Sequence, residues 1–272
     1  LVLEKIFEGS ELLIATHCEE ESIIKKNKAA LEAIKPVLEP ADHPIIRNEE
    51  ACFESSFKAI QLAKKFNSRL HILHISTAKE LQLFSNMLPL ADKRITSEVC
   101  VHHLHFTADD YETKGNLIKC NPAIKTPENK AALWEGLLND QLDVIATDHA
   151  PHTLEEKAKE YPASPSGTPG VQTLVPVMLN HVNNGRLTLE RLVDLMCYGP
   201  QRIHKIICKG RIARGYDADF TIIDLKKKDT IKNAQQLSRA GWSPFDGMEI
   251  TGWPVMTIID GKIVAAFGEL KQ

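Results

Sequence analysis

The sequence predicts an α/β fold in which helices cover a parallel sheet, followed by a small antiparallel β-unit. Two observations predict the first part: short apolar runs recur along the first 150 residues, and stretches of helical periodicity separate them. A third observation predicts the second part, because from about residue 206 the chain changes to short alternating strands with Gly and Asp at the turns. We therefore expect two domains, residues 1–205 and 206–272.

Four apolar runs are predicted to form the parallel strands: Leu12 to His17, Arg69 to Ser76, Arg94 to His103 and Leu142 to His149. Nearly continuous apolarity, in place of strict alternation, is typical of strands that are buried on both faces. In the last part of the chain, Asp260-Gly261 between two apolar runs predicts a tight hairpin.

The helices are predicted from periodicity, caps and prolines. Asn48 is a good N-cap, Pro36 closes the first helical stretch, and a loop rich in Pro, Ser and Gly follows from Tyr161 to Gly170. We expect helices over six ranges: Glu19 to Ile34, Asn48 to Phe66, Ala78 to Met87, Glu128 to Asn139, Val171 to Asn183 and Leu189 to Cys197.

The composition is that of a globular protein with a sizeable core, since 43% of the 272 residues are hydrophobic and 25% are charged. The net charge is −3, the apolar runs are too short to span a bilayer, and the six cysteines form no CxxC pair. We therefore expect a cytoplasmic protein with reduced thiols that binds neither nucleic acid nor membrane. The chain begins at Leu1 in what reads as the end of a helix, so we expect it to be the later part of a longer protein.

Three of the four predicted strands finish on a residue that can bind a metal or exchange a proton. They are His17 in "IATHCEEE", His74 in "ILHIST" and Asp148 in "IATDHAPH". The carboxyl ends of parallel strands meet at one edge of a sheet, and two neutral imidazoles with a carboxylate are good ligands for zinc. Each residue alone is also typical of an ordinary strand end, but their recurrence at equivalent positions favours a metal hydrolase.

The other histidines near the strands are predicted to be structural. His71 lies in the middle of its strand, on the opposite side of the alternation from His74. His102, His103 and His105 cluster at the end of the third strand, where we expect them to pack or to support the ligands rather than to bind metal.

Several motifs together carry a resemblance to a known family. The segments "THCEEE", "LHILHIST", "EVCVHHLHF", "KCNPAIK" and "IATDHAPH" occur in the order and rough spacing of the dihydroorotases, in the cyclic amidohydrolase superfamily. The late "GRIARGYDADFTIID" resembles the stretch where chains of that superfamily return to their β-sandwich. The match covers nearly the whole sequence, and "TDHAPH" with an upstream Asn-Pro is its most specific part.

The resemblance implies roles for the metal-binding residues. His17, ending barrel strand five, and His74, ending strand six, would bind the more exposed of two zinc ions. Asp148, ending strand eight, would bind the other zinc ion and carry the proton during hydrolysis. We expect Cys18, which directly follows His17, to pack behind the barrel mouth.

The resemblance also implies a substrate and the residues that hold it. The substrate would be dihydroorotate, which the enzyme hydrolyses reversibly to N-carbamoyl-aspartate in de novo pyrimidine biosynthesis. Asn121 and His152 would bind it, and the backbone around Ser166 and Gly167 would close over it. Related hydantoinases and allantoinases usually have Ser where Asn121 stands. Such an enzyme remains an alternative, as does a catalytically inactive relative acting as a scaffold.

The implied fold is the second half of a (β/α)8 TIM-type barrel, strands five to eight, plus a small C-terminal antiparallel β-sandwich portion. The first half of the barrel, absent from this sequence, would supply a His-x-His pair, a carboxylated lysine or an aspartate that bridges the metals, and a substrate-binding arginine. This chain would therefore hold about half of an active site, with the missing half of the barrel as its partner. The resemblance also suggests a homodimer.

Overall fold

The computed structural model describes residues 2–271 and contains a four-stranded parallel sheet. Its strands follow one another across the sheet in chain order, with helices in every connection. The strands are β1 (Leu13–Thr16), β2 (Arg69–Ile72), β3 (Ile95–Cys100) and β4 (Val144–Ala146). The predicted parallel sheet is therefore confirmed, and its carboxyl edge gathers the residues that follow the four strands.

Twelve α-helical segments lie within the described residues. They are α1 (Val2–Gly9), α2 (Glu21–Glu32), α3 (His43–Ile46), α4 (Glu49–Phe66), α5 (Ala78–Leu81), α6 (Val101–His105), α7 (Tyr111–Lys114), α8 (Pro127–Leu138), α9 (Leu154–Lys157), α10 (Leu174–Asn183), α11 (Leu189–Val193) and α12 (Gly199–His204). Short 3-10 turns occupy Pro40–Asp42, Leu90–Asp92, Ala108–Asp110, Gly115–Ile118 and Asn233–Gln235, and a π-helical turn covers Asp194–Tyr198.

Helix α4 shows how the local sequence sets an element. The Asn48 side chain accepts a hydrogen bond from the backbone N–H of Ala51 at 3.1 Å, and Glu49 and Glu50 place negative charge in the first turn. The helix ends at Asn67, which adopts a left-handed conformation with φ 53°. The predicted start at this cap is confirmed.

Two predicted elements are shorter than expected. The helix expected over Ala78 to Met87 is a single turn that ends at Leu81, before the sequence reaches Pro89. The third strand stops at Cys100, and the residues from Val101 to His105 turn into α6. Strand β4 pairs with β3 only over Glu98 to Cys100, so β3 has no hydrogen-bonded partner strand beyond Cys100.

The antiparallel part is also confirmed, and it forms a second four-stranded sheet. The strands β5 (Phe220–Thr230), β6 (Glu249–Ile259), β7 (Lys262–Ala266) and β8 (Glu269–Leu270) lie in chain order. The predicted hairpin at Asp260-Gly261 joins β6 to β7, and both residues have positive φ, as this turn requires. The first strand of this sheet, β5, begins at Phe220, whereas the alternating sequence pattern predicted strands from about residue 206.

The two sheets share one hydrophobic core. Ile231, Phe245 and Ile250 of the later part join the same buried cluster as the parallel strands. Helix α10 links the two parts by hydrogen bonds, because Asn183 Nδ2 donates to the carbonyl oxygen of Thr251 at 2.8 Å and Asn180 Oδ1 accepts from the Thr251 N–H at 3.0 Å. The antiparallel sheet is therefore joined to the α/β part through α10 and the shared core.

Neither the cysteines nor the helices of the described residues indicate a cellular location for the protein. All six cysteines are free, and four of them, including Cys18, are buried. Among residues 2–271, every helix is too short or too polar to traverse a lipid bilayer.

Candidate functional site

The imidazoles of His17 and His74 meet at the carboxyl edge of the parallel sheet. His17 directly follows β1, and His74 follows β2 after one intervening residue. His17 Nδ1 lies 2.9 Å from His74 Nε2, and the two rings are 4.8 Å apart at an angle of 73°. Two residues separated by 57 positions in sequence thus face each other through their ring nitrogens, within hydrogen-bonding distance.

The second nitrogen of His17 is held by a buried carboxylate. His17 Nε2 lies 3.3 Å from Glu19 Oε2, and Arg47 also donates to that oxygen. Burial raises the pKa of Glu19, but the hydrogen bond with His17 and the charge of Arg47 outweigh it, so the net pKa is lowered. A carboxylate on Nε2 fixes the proton there and leaves the lone pair of Nδ1 facing His74, as is typical of metal-binding histidines.

His74 is a buried, neutral imidazole in an unusual backbone conformation. Its φ is +39°, it is 6% exposed, and burial lowers its pKa to about 4. Its Nδ1 has no hydrogen-bond partner within the described part of the chain. Glu98 accepts a hydrogen bond from the His74 backbone N–H at 3.3 Å and contacts His71 Nε2 at 3.1 Å. His71 itself is fully buried on the sheet, between Glu98 and Thr96.

Asp148 occupies the corresponding position after β4. It is half-buried and has φ +44°, the second strand-end candidate with a left-handed backbone. Burial raises the pKa of its carboxyl, the negative charge of Glu98 raises it further, and His17 lowers it. Asp148 therefore lies within electrostatic range of His17 and Glu98. No hydrogen bond joins it to either imidazole within residues 2–271, so direct contact is limited to the histidine pair.

The histidine pair is the part of this set that could hold a metal ion. Its ring nitrogens lie 2.9 Å apart and His74 is neutral, which suits zinc, whereas among the described residues the Asp148 carboxylate does not lie within 4.8 Å of both nitrogens. A second buried group of potential ligands lies at the end of β3, where donor atoms of Cys100, His102 and His103 are all within 4.8 Å of one another. Burial lowers the pKa of His102 to about 3, so this imidazole is neutral, as His74 is.

Asn121 is oriented by a histidine that sequence patterns did not single out. His43 is 3% exposed, and its Nε2 lies 3.0 Å from both Asn121 Oδ1 and the Cys120 carbonyl oxygen. Since both neighbours are acceptors, Nε2 must carry the proton, and Nδ1 accepts from the Tyr161 hydroxyl at 3.1 Å. The Asn121 amide N–H2 group is thereby turned away from His43. His43 sits in an unremarkable "DHP" turn, and only the fold brings it to a residue 78 positions later.

The remaining substrate-binding candidates lie on the long loop after β4. His152 is partly exposed, and its carbonyl oxygen accepts a hydrogen bond from Trp242 Nε1 at 2.7 Å. Ser166 is half-buried and precedes Gly167, whose φ of +133° few other residues adopt. A Cβ atom on Gly167 would lie 2.4 Å from the Ala150 carbonyl oxygen, two residues after Asp148. The loop therefore packs directly against the strand end that carries the acid.

Known proteins resemble this chain over most of its length. The model of the Amidohydrolase family matches residues 8–264. The dihydroorotase of Methanothermobacter thermautotrophicus is 34% identical over 259 residues, 95% of this chain and 58% of the relative. The dihydroorotase of Pyrococcus furiosus is 40% identical over 213 residues, 78% of this chain and 49% of the relative.

Solved structures show the same fold. The L-hydantoinase (dihydropyrimidinase) from Arthrobacter aurescens superimposes with a TM-score of 0.91 at 32% identity, covering 99% of this chain and 61% of that one. A D-hydantoinase from Thermus sp. reaches 0.89 at 22% identity and shows the fold alone. The chain spans about half to three fifths of the length of these relatives. The match over residues 8–264 and the dihydroorotase relatives confirm the predicted resemblance, and the chain belongs to the amidohydrolase family.

Proposed function

We propose that the protein is a zinc-dependent dihydroorotase, which hydrolyses the cyclic amide of dihydroorotate reversibly to N-carbamoyl-aspartate in pyrimidine biosynthesis. The observation that carries the proposal is the 2.9 Å approach of His17 Nδ1 to His74 Nε2 at the sheet edge that also holds Asp148. The relatives that cover most of the chain at 34–41% identity are named dihydroorotase, which supports the choice of substrate.

The residues of this chain have separate tasks in the proposed reaction. A bound zinc ion lowers the pKa of its water towards about 7 and polarises the amide carbonyl. His17 and His74 would hold it, with Glu19 fixing the tautomer of His17. Asp148 would take the proton from the attacking water and return it to the ring nitrogen that leaves. Burial and Glu98 raise the pKa of Asp148, which makes its carboxylate a stronger base for this transfer.

Substrate binding would use the groups around this edge. Asn121 presents its amide N–H2 because His43 occupies its oxygen, and an amide donor suits the carboxylate of dihydroorotate. His152 would provide a second donor from the partly exposed loop after β4. The backbone at Ser166 and Gly167 would close over the ring.

We further propose that the four parallel strands are strands five to eight of a (β/α)8 barrel, with a domain boundary at 205/206. The chain-order sheet and the partial coverage of the relatives support this assignment. So does the position of the boundary, because α12 ends at His204 and the antiparallel sheet begins at Phe220. The partner of this part would be the first half of the barrel, which would complete the metal site.

One observation favours a second candidate, a hydantoinase-type activity on a ring without a carboxylate. It is the 0.91 TM-score and 32% identity to the L-hydantoinase structure. A scaffold without activity is disfavoured, because the three candidate metal ligands are all present in this chain.

A substrate panel tests the proposal. The complete protein, loaded with zinc, is assayed with dihydroorotate, hydantoin, dihydrouracil and allantoin at matched concentrations. We expect the highest kcat/KM for dihydroorotate and for the reverse reaction with carbamoyl aspartate. Preference for hydantoin or dihydrouracil would establish the second candidate, and no turnover of any member by metal-loaded protein would establish a scaffold.

A further inference from the structure

Lys157 is a buried lysine that no step of the proposed reaction uses. It ends α9, is 2% exposed, and has no carboxylate within ion-pair distance among the described residues. Its ammonium group donates instead to three backbone carbonyl oxygens, those of Lys119 at 3.1 Å, Pro165 at 2.9 Å and Gly167 at 3.1 Å. An ammonium has three N–H donors, so this cage satisfies all of them.

The three carbonyls belong to two different segments of the candidate site. Pro165 and Gly167 flank Ser166 on the loop after β4, and Lys119 lies two residues before Asn121. The Lys119 carbonyl oxygen also accepts the Gly167 N–H at 2.9 Å, so it is a shared acceptor between the segments. The Lys157 ammonium thus bridges the loop that would close over the substrate to the turn that carries Asn121.

A second lysine, Lys119, also holds this loop. Its ammonium donates to the carbonyl oxygens of Pro162, at 2.9 Å, and Ser164. The Ser164 hydroxyl donates in turn to the carbonyl oxygen of Lys157 at 3.1 Å. Two ammonium groups therefore hold a loop rich in Pro, Ser and Gly that has little regular structure of its own.

We infer that Lys157 is a positioning residue that locks the Ser166-Gly167 backbone and the Asn121 turn into one substrate-binding unit. The inference rests on the proposed function, because it requires that both segments contact substrate. The physical reason is that a buried ammonium is costly unless hydrogen bonds compensate for the lost water, and here the three carbonyl oxygens provide them while burial lowers the Lys157 pKa to about 8. A neutral side chain of similar length would fill the space without this desolvation cost. It would leave the three carbonyl oxygens with fewer hydrogen bonds from this position, or with none.

The decisive variant is Lys157→Met, which keeps an unbranched side chain of nearly the same length and removes the donors. In the complete, zinc-loaded protein we expect the KM for dihydroorotate to rise at least tenfold while kcat changes less than threefold, because the loop binds ground state and transition state alike. Lys157→Gln, with two N–H donors, should lie between wild type and Lys157→Met. Lys159→Met, an exposed lysine on the same segment, is the matched control and should keep the wild-type KM.

Hydrogen exchange of the Gly167 amide provides a readout that needs no substrate. This N–H donates to the Lys119 carbonyl, so its exchange should be at least tenfold faster in Lys157→Met or, if that variant fails to fold, in Lys157→Gln. A lowered melting temperature with unchanged KM and unchanged Gly167 exchange would overturn the inference and leave Lys157 a purely stabilising residue. Absence of dihydroorotate turnover by the wild type would refute the proposed function instead, and the exchange measurement would still decide whether Lys157 links the loop to the Asn121 turn.

Discussion

Replacing His43 with phenylalanine should weaken both the fold and the proposed substrate site. The variant keeps a ring of similar size but leaves the Cys120 carbonyl oxygen, Asn121 Oδ1 and the Tyr161 hydroxyl without their partner. The bond to Cys120 is fully buried, and an unsatisfied buried carbonyl costs about 1–3 kcal/mol. The other two partners are partly exposed and add less, so we expect the free energy of unfolding to fall by about 2–4 kcal/mol.

The pH dependence of stability provides a second, more specific test of His43. Burial lowers its pKa to about 3, whereas an unfolded histidine titrates near 6.5. Between these values the unfolded state binds more protons than the folded state, so this group makes the fold less stable as the pH falls from 6.5 towards 3. Between pH 7 and pH 5 this proton linkage lowers the free energy of unfolding of the wild type by about 2 kcal/mol. The phenylalanine variant should not show this loss.

The assay is equilibrium unfolding in urea at pH 7 and pH 5, with wild type, His43→Phe and Tyr161→Phe in parallel. Tyr161→Phe removes only the hydroxyl that faces His43 Nδ1, so it should cost about 0.5–1.5 kcal/mol and retain the wild-type pH dependence. Because the other buried histidines titrate equally in all three proteins, the difference isolates His43. Equal stabilities at pH 7, or parallel losses between pH 7 and pH 5, would refute the assigned tautomer and burial.

Three further outcomes follow from the site. Asp148→Asn should lower kcat for dihydroorotate at least a thousandfold without changing the circular dichroism spectrum, and surviving turnover would remove Asp148 from the proton transfer. Gly167→Ala should destabilise the protein or raise KM strongly, because its Cβ would lie 2.4 Å from a backbone oxygen, whereas Gly9→Ala, with open space around it, should have little effect. A chelator should lower the melting temperature of the metal-loaded wild type but not that of a His17→Ala/His74→Ala double variant, and equal shifts in both would place the metal elsewhere.

The sequence alone was sufficient for the order of the four parallel strands and for the residues that follow them. Nearly continuous apolar runs predict buried parallel strands because side chains on both faces need apolar neighbours, and the runs ending at His17, His74 and Asp148 do form β1, β2 and β4. The cap at Asn48 and the hairpin at Asp260 depend on local backbone chemistry, which is why their positions could be predicted within a residue or two.

The tertiary structure alone decided where strands stop and which groups support the site. β3 ends at Cys100 because its pairing with β4 ends there, a condition that no property of "VCVHH" reveals. His43 and Lys157 look like ordinary polar residues of a turn and a short helix, yet folding buries them against acceptors far away in sequence. Local patterns record periodicity and turn chemistry, whereas the partner of a buried polar group is set by long-range packing, so these positioning contacts could be found only in three dimensions.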